Sequence, residues 1–364
     1  MTIVAVEPIH LQLPLERQLP ATGSGAPAGS LATTLVRLTC GDGRCAWGEG
    51  QCASETLDDA LALLTPIILD ADPLDRGTLW ERMVDRLSGL KEPLEGGAAA
   101  LSALDIALWD AAGQALGLPI WQLLGGRRMA RMDAYGTCRS AEPEAAAREA
   151  REIIAAGFHS VKVTVGGSSI EQDTAALEAV RAEIGPQVPL LVDAAQSYQS
   201  RDEALAFGAV ADRVEAFWYE EPLSPGEWAD YVALRHALNT PIAGGQHLRS
   251  PGALLQAIDR GALDIATPDV RLCGGITGLL KIAELARWSG VQVSPHNCGS
   301  QLAAVASTHA AVTLRNCVIT ELDREDAGLL EDPVRLEDGF IAPPDGPGLG
   351  ISINEESVTR HSVA

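Results

Sequence analysis

The sequence predicts an α/β chain in which a small α+β unit precedes a parallel (β/α)8 TIM-type barrel. Three observations carry that prediction. The texture changes after about residue 125, from long alternating segments to short apolar runs. Eight such runs follow: MDAYGT, SVKVTV, LLVDA, AFWYE, TPIAGG, LDIATPD, VQVSP and CVITE. At or near their ends stand Tyr135, Lys162, Asp193, Glu220, Gln246, Asp269, His296 and Glu321, spaced by 27, 31, 27, 26, 23, 27 and 25 residues. Near-constant spacing of that kind is the mark of repeated βα units closing into a barrel.

The first part opens with alternating apolar segments at Ile3 to Leu13 and Leu31 to Leu38, an antiparallel pattern split by the loop ATGSGAPAGS. Helical patterns follow at Glu55 to Leu69, Pro73 to Leu87 and Ala98 to Leu116, the last terminated by Gly117 and Pro119. In the barrel part, amphipathic segments at Glu142 to Ala156, Ile170 to Ile184, Arg201 to Val214 and Gly275 to Trp288 separate the runs. A doubly wound nucleotide-binding sheet is disfavoured, because GGSS after the second run lacks GxGxxG spacing. Trp218, Trp228 and Trp288 are expected to pack between barrel and helices.

Composition narrows the function. Lys plus Arg is 27 against 49 for Asp plus Glu, a net charge of −22. Such a surface repels a phosphate backbone or an anionic membrane, so no nucleic-acid or membrane partner is expected. The start MTIVAVEPIH carries neither a basic n-region nor an apolar h-region. Seven scattered cysteines without a CxxC pair suit a reducing compartment, so the expectation is cytoplasmic.

At a barrel's C-terminal mouth, strand-end side chains converge on one pocket. Asp193 and Glu220 on successive strands would repel unless a cation lay between them, and oxygen ligands without Cys or clustered His favour Mg2+, with Mn2+ as the alternative. Gln246 offers an amide oxygen as third ligand. The competing reading is that these acids cap the following helices. Lys162, one of only three lysines, is flanked by Val161 and Val163 and should face the polar mouth. Desolvation and a nearby cation are expected to lower its pKa, suiting it to hold a substrate carboxylate or move a proton. Asp269, one unit upstream, can orient His296 as a general base. His247 beside Gln246 is expected to be structural.

These residues, in this order, resemble the mandelate racemase subgroup of the enolase superfamily. ALSALDIALWDAAGQALGLPIWQLLGG (Ala100 to Gly126) looks like that family's junction between capping domain and barrel, and SVKVTVG, LLVDAAQ, WYEEPL, PIAGGQ, PDVRLCGGITG, VSPHN and GPGLGISIN are further matches. The resemblance implies a capping domain over 1–125, a modified barrel over 126–335, and a segment 336–364 returning to the cap. Two cap loops, Ala21 to Ser30 and Gly48 to Thr56, would cover the substrate. It implies Asp193, Glu220 and Gln246 as metal ligands and Lys162 as the first Lys of a KxK motif. Asp269 and His296 match a catalytic dyad, and Glu321 an acid that, when protonated, hydrogen-bonds the substrate carboxylate. It also implies a homo-oligomer, from dimer to octamer.

Three positions depart from the family's pattern: Thr164 replaces the second Lys, Ala195 an Asn, and Gln246 a Glu. Thr164 and Ala195, with Cys298 beside His296, are placed among substrate-binding positions. Thr cannot act as a base at neutral pH, which argues against racemisation by two bases. Glucarate dehydratase relatives carry an Asn at the third ligand, and a less negative site suits an anionic substrate. The resulting expectation is a Mg2+-dependent dehydratase of a sugar acid or related 2-hydroxy carboxylate working through an ene-diolate. The alternatives are an isomerase (a lactone cycloisomerase, racemase or epimerase) and an inactive carboxylate-binding barrel.

Overall fold

The computed structural model describes residues 2–19, 28–322 and 328–363. Three strands, β1 (Ile3–Leu19), β2 (Ala28–Cys40) and β3 (Cys45–Gly50), form an antiparallel sheet in that order. Alternation puts Leu11, Leu13, Leu35 and Ala46 inside. Of the predicted Ala21 to Ser30 loop, residues 21–27 lie outside the described residues and 28–30 already begin β2. Of the second predicted loop, only residues 51–53 are a connection, since Gly48 to Gly50 belong to β3.

Helices α1 (Ser54–Ile68), α2 (Arg76–Ser88) and α3 (Gly97–Leu116) cover this sheet, followed by the short α4 (Ile120–Leu123). The Ala-rich α3 is buried on nearly every face. One side takes β3 so closely that a Cβ on Gly48 would strike the Ala103 carbonyl, which explains a glycine there. Another side presents Ser102, Asp105 and Trp109 to the barrel.

The barrel strands are β4 (Met132–Cys138), β5 (Ser160–Thr164), β6 (Leu190–Asp193), β7 (Trp218–Glu220), β8 (Ile242–Gly244), β9 (Ile265–Ala266), β10 (Gln292–Val293) and β11 (Thr320–Glu321). All run parallel, β11 pairs with β4, and a bridge between Val293 and Cys317 closes the cylinder. Between them lie α5 (Pro143–Ala155), α6 (Ile170–Ile184), α7 (Arg201–Arg213), α8 (Trp228–Ala237), α9 (Pro251–Asp259), α10 (Gly275–Trp288) and α11 (Gln301–Ala311). Ser169, Ser200, Ser250 and Ser300 each accept a backbone N–H at the start of one of these helices.

The eighth unit is modified. No helix follows β11 among the described residues before β12 (Phe340–Ile341), which pairs antiparallel with β4. The chain then returns to the first sheet through α12 (Glu355–His361), where Val363 N–H donates to the His10 carbonyl at 3.0 Å.

Strand alternation divides the barrel into two apolar layers. Val161, Val163, Leu190, Val192, Tyr219 and Ile242 face the helices, whereas Tyr135, Leu191, Trp218, Ala243, Ile265 and Ile319 fill the interior. The tryptophan expectation is therefore corrected. Trp218 lies inside the cylinder, edge-on to Tyr135 at 5.6 Å, and Trp288 is 75% exposed.

Side-chain hydrogen bonds hold the first unit on the barrel. Trp80 Nε1 donates to the Gly274 carbonyl at 2.8 Å, and Asp105 accepts from Thr277 N at 2.8 Å and Thr277 Oγ1 at 2.6 Å. Burial pushes Asp105 up to about 7 against those hydrogen bonds. The folded chain thus binds a proton that the unfolded one, at 3.8, has released. The stabilising contribution is full below the unfolded value and is lost as pH rises towards about 7. Asp105→Asn is expected to flatten that part of the melting-temperature profile relative to the parent, measured by calorimetry across the window.

Candidate active site

The polar mouth sits one alternation step above the apolar interior. Two residues beyond Leu191, Trp218 and Ile319 stand Asp193, Glu220 and Glu321, so these side chains point inward and upward from the same floor. Register sets them side by side: Asp193 lies opposite both Thr164 and Glu220, and Lys162 opposite Thr137 and Leu191.

Lys162 is the hub. Only 2% exposed, its Nζ lies 2.9 Å from Glu321 Oε1, 3.3 Å from Asp193 Oδ2 and 3.8 Å from Glu220 Oε2, above the Tyr135 ring. Burial opposes the ammonium, but Glu321, Tyr135, Glu220 and Asp193 outweigh it and hold Lys162 well above its ordinary pKa. With the carboxylates alone facing the ammonium, the direction is opposite to the lowering expected from desolvation and a neighbouring cation, because they stabilise the charge that burial penalises.

The same contacts act on Glu321. Burial opposes its ionisation, yet Lys162, His296 and the Asn297 N–H bring it down to about 2. Thr137 Oγ1 also donates to it at 3.0 Å. Glu321 here is a carboxylate accepting from Lys162.

Asp193, Glu220 and Gln246 offer oxygen atoms. Asp193 Oδ1 accepts from Ala195 N–H at 2.9 Å. Both Glu220 oxygens and Gln246 Oε1 are buried without a hydrogen-bond partner. Such groups are costly unless something satisfies them. Burial pushes Glu220 up to about 8, Lys162 opposing and Asp193 and Glu321 adding to the rise. Orphaned buried oxygens, two of them on a carboxylate, fit a hard cation with oxygen ligands. Among the described residues no three His, Cys, Asp or Glu side chains form a ready-made metal cluster, and here the third oxygen is an amide's.

Gln246 lies just beyond β8. Its Nε2 is 3.3 Å from His247 Nε2, and an amide nitrogen can only donate there, so His247 accepts. That contact leaves Oε1 free. His247 is in turn 3.6 Å from Glu221, whose carboxylate takes Gln196 Nε2 at 2.6 Å and Gly245 N–H at 3.1 Å. This outer row around the amide was not foreseen.

Across the pocket, His296 Nδ1 donates to Asp269 Oδ2 at 2.8 Å, and its Nε2 lies 3.8 Å from Glu321 Oε2. Burial lowers the imidazole's pKa, but Glu321 and Asp269 raise it more, and the net shift is upward. Asp269 is wholly buried, and burial favours its neutral form, but Arg271 and His296 hold it ionised well below the carboxylate range. Sequence reasoning missed Arg271, although it stands in the quoted segment PDVRLCGGITG, two residues after the acid. Thr164 and Cys298 are part-buried; Ala195 is buried with φ at +44°, a left-handed conformation unusual for alanine.

The Enolase C-terminal domain-like family matches residues 145–357, and the Mandelate racemase / muconate lactonizing enzyme N-terminal domain matches residues 11–125. The chain belongs to the mandelate racemase/muconate lactonizing enzyme family. Within this family it is similar to the D-galactarolactone cycloisomerase of Agrobacterium fabrum, 34% identical over 90% of this chain and 91% of that protein. It is similar also to the D-gluconate dehydratase of Thermoproteus tenax, 31% identical over 90% of this chain and 69% of that one. A Streptomyces coelicolor racemase crystallised with bound magnesium shares the fold, with a TM-score of 0.91, 24% identity and coverage of 99% and 100% of the two chains. This member of the mandelate racemase/muconate lactonizing enzyme family is an enzyme whose relatives are hydro-lyases and isomerases.

Proposed function

We propose that the chain removes the proton α to the carboxylate of a sugar acid or related 2-hydroxy carboxylate and expels water from the adjacent carbon. The observation that carries this reading is the pairing of one imidazole, oriented by Asp269 at 2.8 Å, with buried oxygens on Glu220 and Gln246 that have no hydrogen-bond partner in the same barrel mouth. Asp193, Glu220 and Gln246 would hold Mg2+, or Mn2+ with the same ligands, and the ion would supply positive charge to the carboxylate as it becomes an ene-diolate.

The protein's own part divides as follows. Lys162 donates to the substrate carboxylate and fixes its position. His296 takes the α-proton at Nε2 while Asp269 balances the imidazolium at Nδ1. The C–H electron pair becomes a C=C bond, the β-hydroxyl leaves, and His296 returns the proton to it on the same face as water. The enol then rearranges to a 2-keto acid. Thr164, an alcohol, provides no second base for the opposite face, so net racemisation is not expected.

A second reading is kept because the 34% identical relative is a cycloisomerase. Opening a lactone by loss of its ring oxygen is the same β-elimination with a different leaving group, and it needs no further base. Screening sugar acids and their lactones with Mg2+ separates the two. A semicarbazide-reactive keto acid is expected from an acyclic acid. A keto acid formed from a lactone, with its ring ester lost and no water released, identifies the cycloisomerase, and an optical change without keto acid identifies a racemase or epimerase. Neither outcome across the panel overturns both.

Two lesser proposals accompany this one. A cytoplasmic setting is proposed because the seven scattered cysteines without a CxxC pair suit a reducing compartment; no helix among the described residues is long and apolar enough to cross a membrane. A homo-oligomer remains the expected assembly.

A further inference from the structure

Arg271 is a large charged side chain entirely out of water, and the mechanism above gives it nothing to do. Three of its donors converge on Asp269. The backbone N–H and Nε reach Oδ1 at 2.8 and 3.0 Å, and Nη2 reaches Oδ2 at 2.6 Å. That Oδ2 is the atom that accepts from His296 Nδ1. The fourth group, Nη1, has no hydrogen-bond acceptor and faces Glu49 Oε1 at 3.9 Å. Glu49 comes from β3 of the first unit and is itself fully buried, accepting from Thr33 Oγ1 at 2.7 Å and from Ser300 Oγ at 2.5 Å. A row of alternating charge, Glu49, Arg271, Asp269 and His296, therefore runs from the N-terminal sheet to the barrel mouth. Gly299 completes the seat, since a side chain there would meet the guanidinium at 2.6 Å.

The chemistry of the row explains the choice of arginine. A buried aspartate with an imidazole as its sole partner would concentrate a full charge on one ring nitrogen. It would then hold the protonated ring too firmly for a base that must also be found neutral. A planar fork occupies the carboxylate's remaining lone pairs in one orientation and shares its charge. We infer that Arg271 is a positioning residue for the base, locking the Asp269 carboxylate towards His296 Nδ1 and drawing off part of its charge, with Glu49 limiting how much is drawn. The inference rests on reading His296 as the base.

His296 is faced by Asp269, by Glu321 from β11 and by Lys162 from β5, and at longer range it acts on Glu220 of β7. Arg271 is faced by Asp269, by Glu49 and by Cys298; Asp269 also acts on Cys273. Glu321 and Lys162 do not touch Arg271 and stay unchanged in the variants.

The test follows the His296 ring signal by NMR in the full chain labelled at histidine, with His296→Asn providing the assignment among the seven histidines. In Arg271→Met the whole Asp269 charge falls on the ring, and the titration midpoint is expected to rise by about one pH unit or more. In Glu49→Gln the guanidinium is freed to pull harder on Asp269, and the midpoint is expected to fall. Arg271→Lys keeps the charge but loses the fork, so the midpoint should stay near the parent's while α-proton exchange slows. A merely structural role would lower the melting temperature of the variants without moving the midpoint in opposite directions. Midpoints that stay put, or that move the same way in Arg271→Met and Glu49→Gln, overturn the inference. Glu49→Gln keeps an amide oxygen for Ser300, so if Arg271→Met fails to fold, the direction of the Glu49→Gln shift decides alone. No substrate enters the titrations, on which the inference stands; only the exchange rate of Arg271→Lys requires one. Failure of the dehydratase reading would leave the opposed shifts in place, whereas failure here would leave keto-acid formation intact.

Discussion

His296→Asn is expected to abolish exchange of the substrate's α-proton with solvent deuterium. General acid–base groups typically contribute about 10²- to 10⁴-fold, and here one imidazole would serve as base and then as acid, so product formation should fall by at least the upper end of that range. The readout is loss of the α-proton NMR signal in deuterated buffer with Mg2+ present; exchange retained in the variant refutes the assignment. The sign of the pH dependence follows from the raised imidazole pKa. The base works only when neutral, so exchange should climb as pH rises through a midpoint above the ordinary 6.5. Asp269→Asn should bring that midpoint down, because the charge that supports the imidazolium is gone, while leaving a slower enzyme with a misdirected ring.

The second large effect is expected at Glu220. Its two oxygens are the clearest vacancies in the hydrogen-bond network, and its raised pKa reflects burial beside other acids. Glu220→Gln removes one of the two carboxylates that would face the ion. Losing an outer hydrogen-bond partner of a metal site typically costs about 10- to 100-fold in affinity, and losing a direct ligand should cost more. Titration calorimetry with Mg2+ should therefore show binding to the parent and none to Glu220→Gln at millimolar ion. Equal affinity in both would place the cation elsewhere. Because the calorimeter reads the ion alone, the result does not depend on knowing the substrate.

Much of this arrangement was legible in the chain because barrels translate sequence period into geometry. Strand-end spacing located Lys162, Asp193, Glu220, Gln246, Asp269, His296 and Glu321, and alternation explains why the acids rise above Leu191, Trp218 and Ile319. Electrostatic state was less legible, since it depends on which groups end up within a few ångströms of each other. A linear reading places Lys162 beside a cation but does not show that three carboxylates surround it, nor that Glu321 meets that same lysine. Arg271 escaped notice because nothing in a linear reading links it to Glu49, which meets it only when the N-terminal sheet closes on the barrel. His247, expected to be structural, stands against the Gln246 amide nitrogen; β8 ends at Gly244, so strand period alone does not say which way it points. Trp288 was read as packing because the amphipathic pattern of α10 does not say how far the last turn extends past its neighbours.

The anchoring of Glu49 on Ser300 and its approach to Arg271 have a consequence for engineering. Grafting a foreign N-terminal module onto this barrel would also replace the acid standing behind the guanidinium. A chimaera that keeps an acid at this point of β3 would keep the guanidinium's counter-charge, whatever else the new module brings.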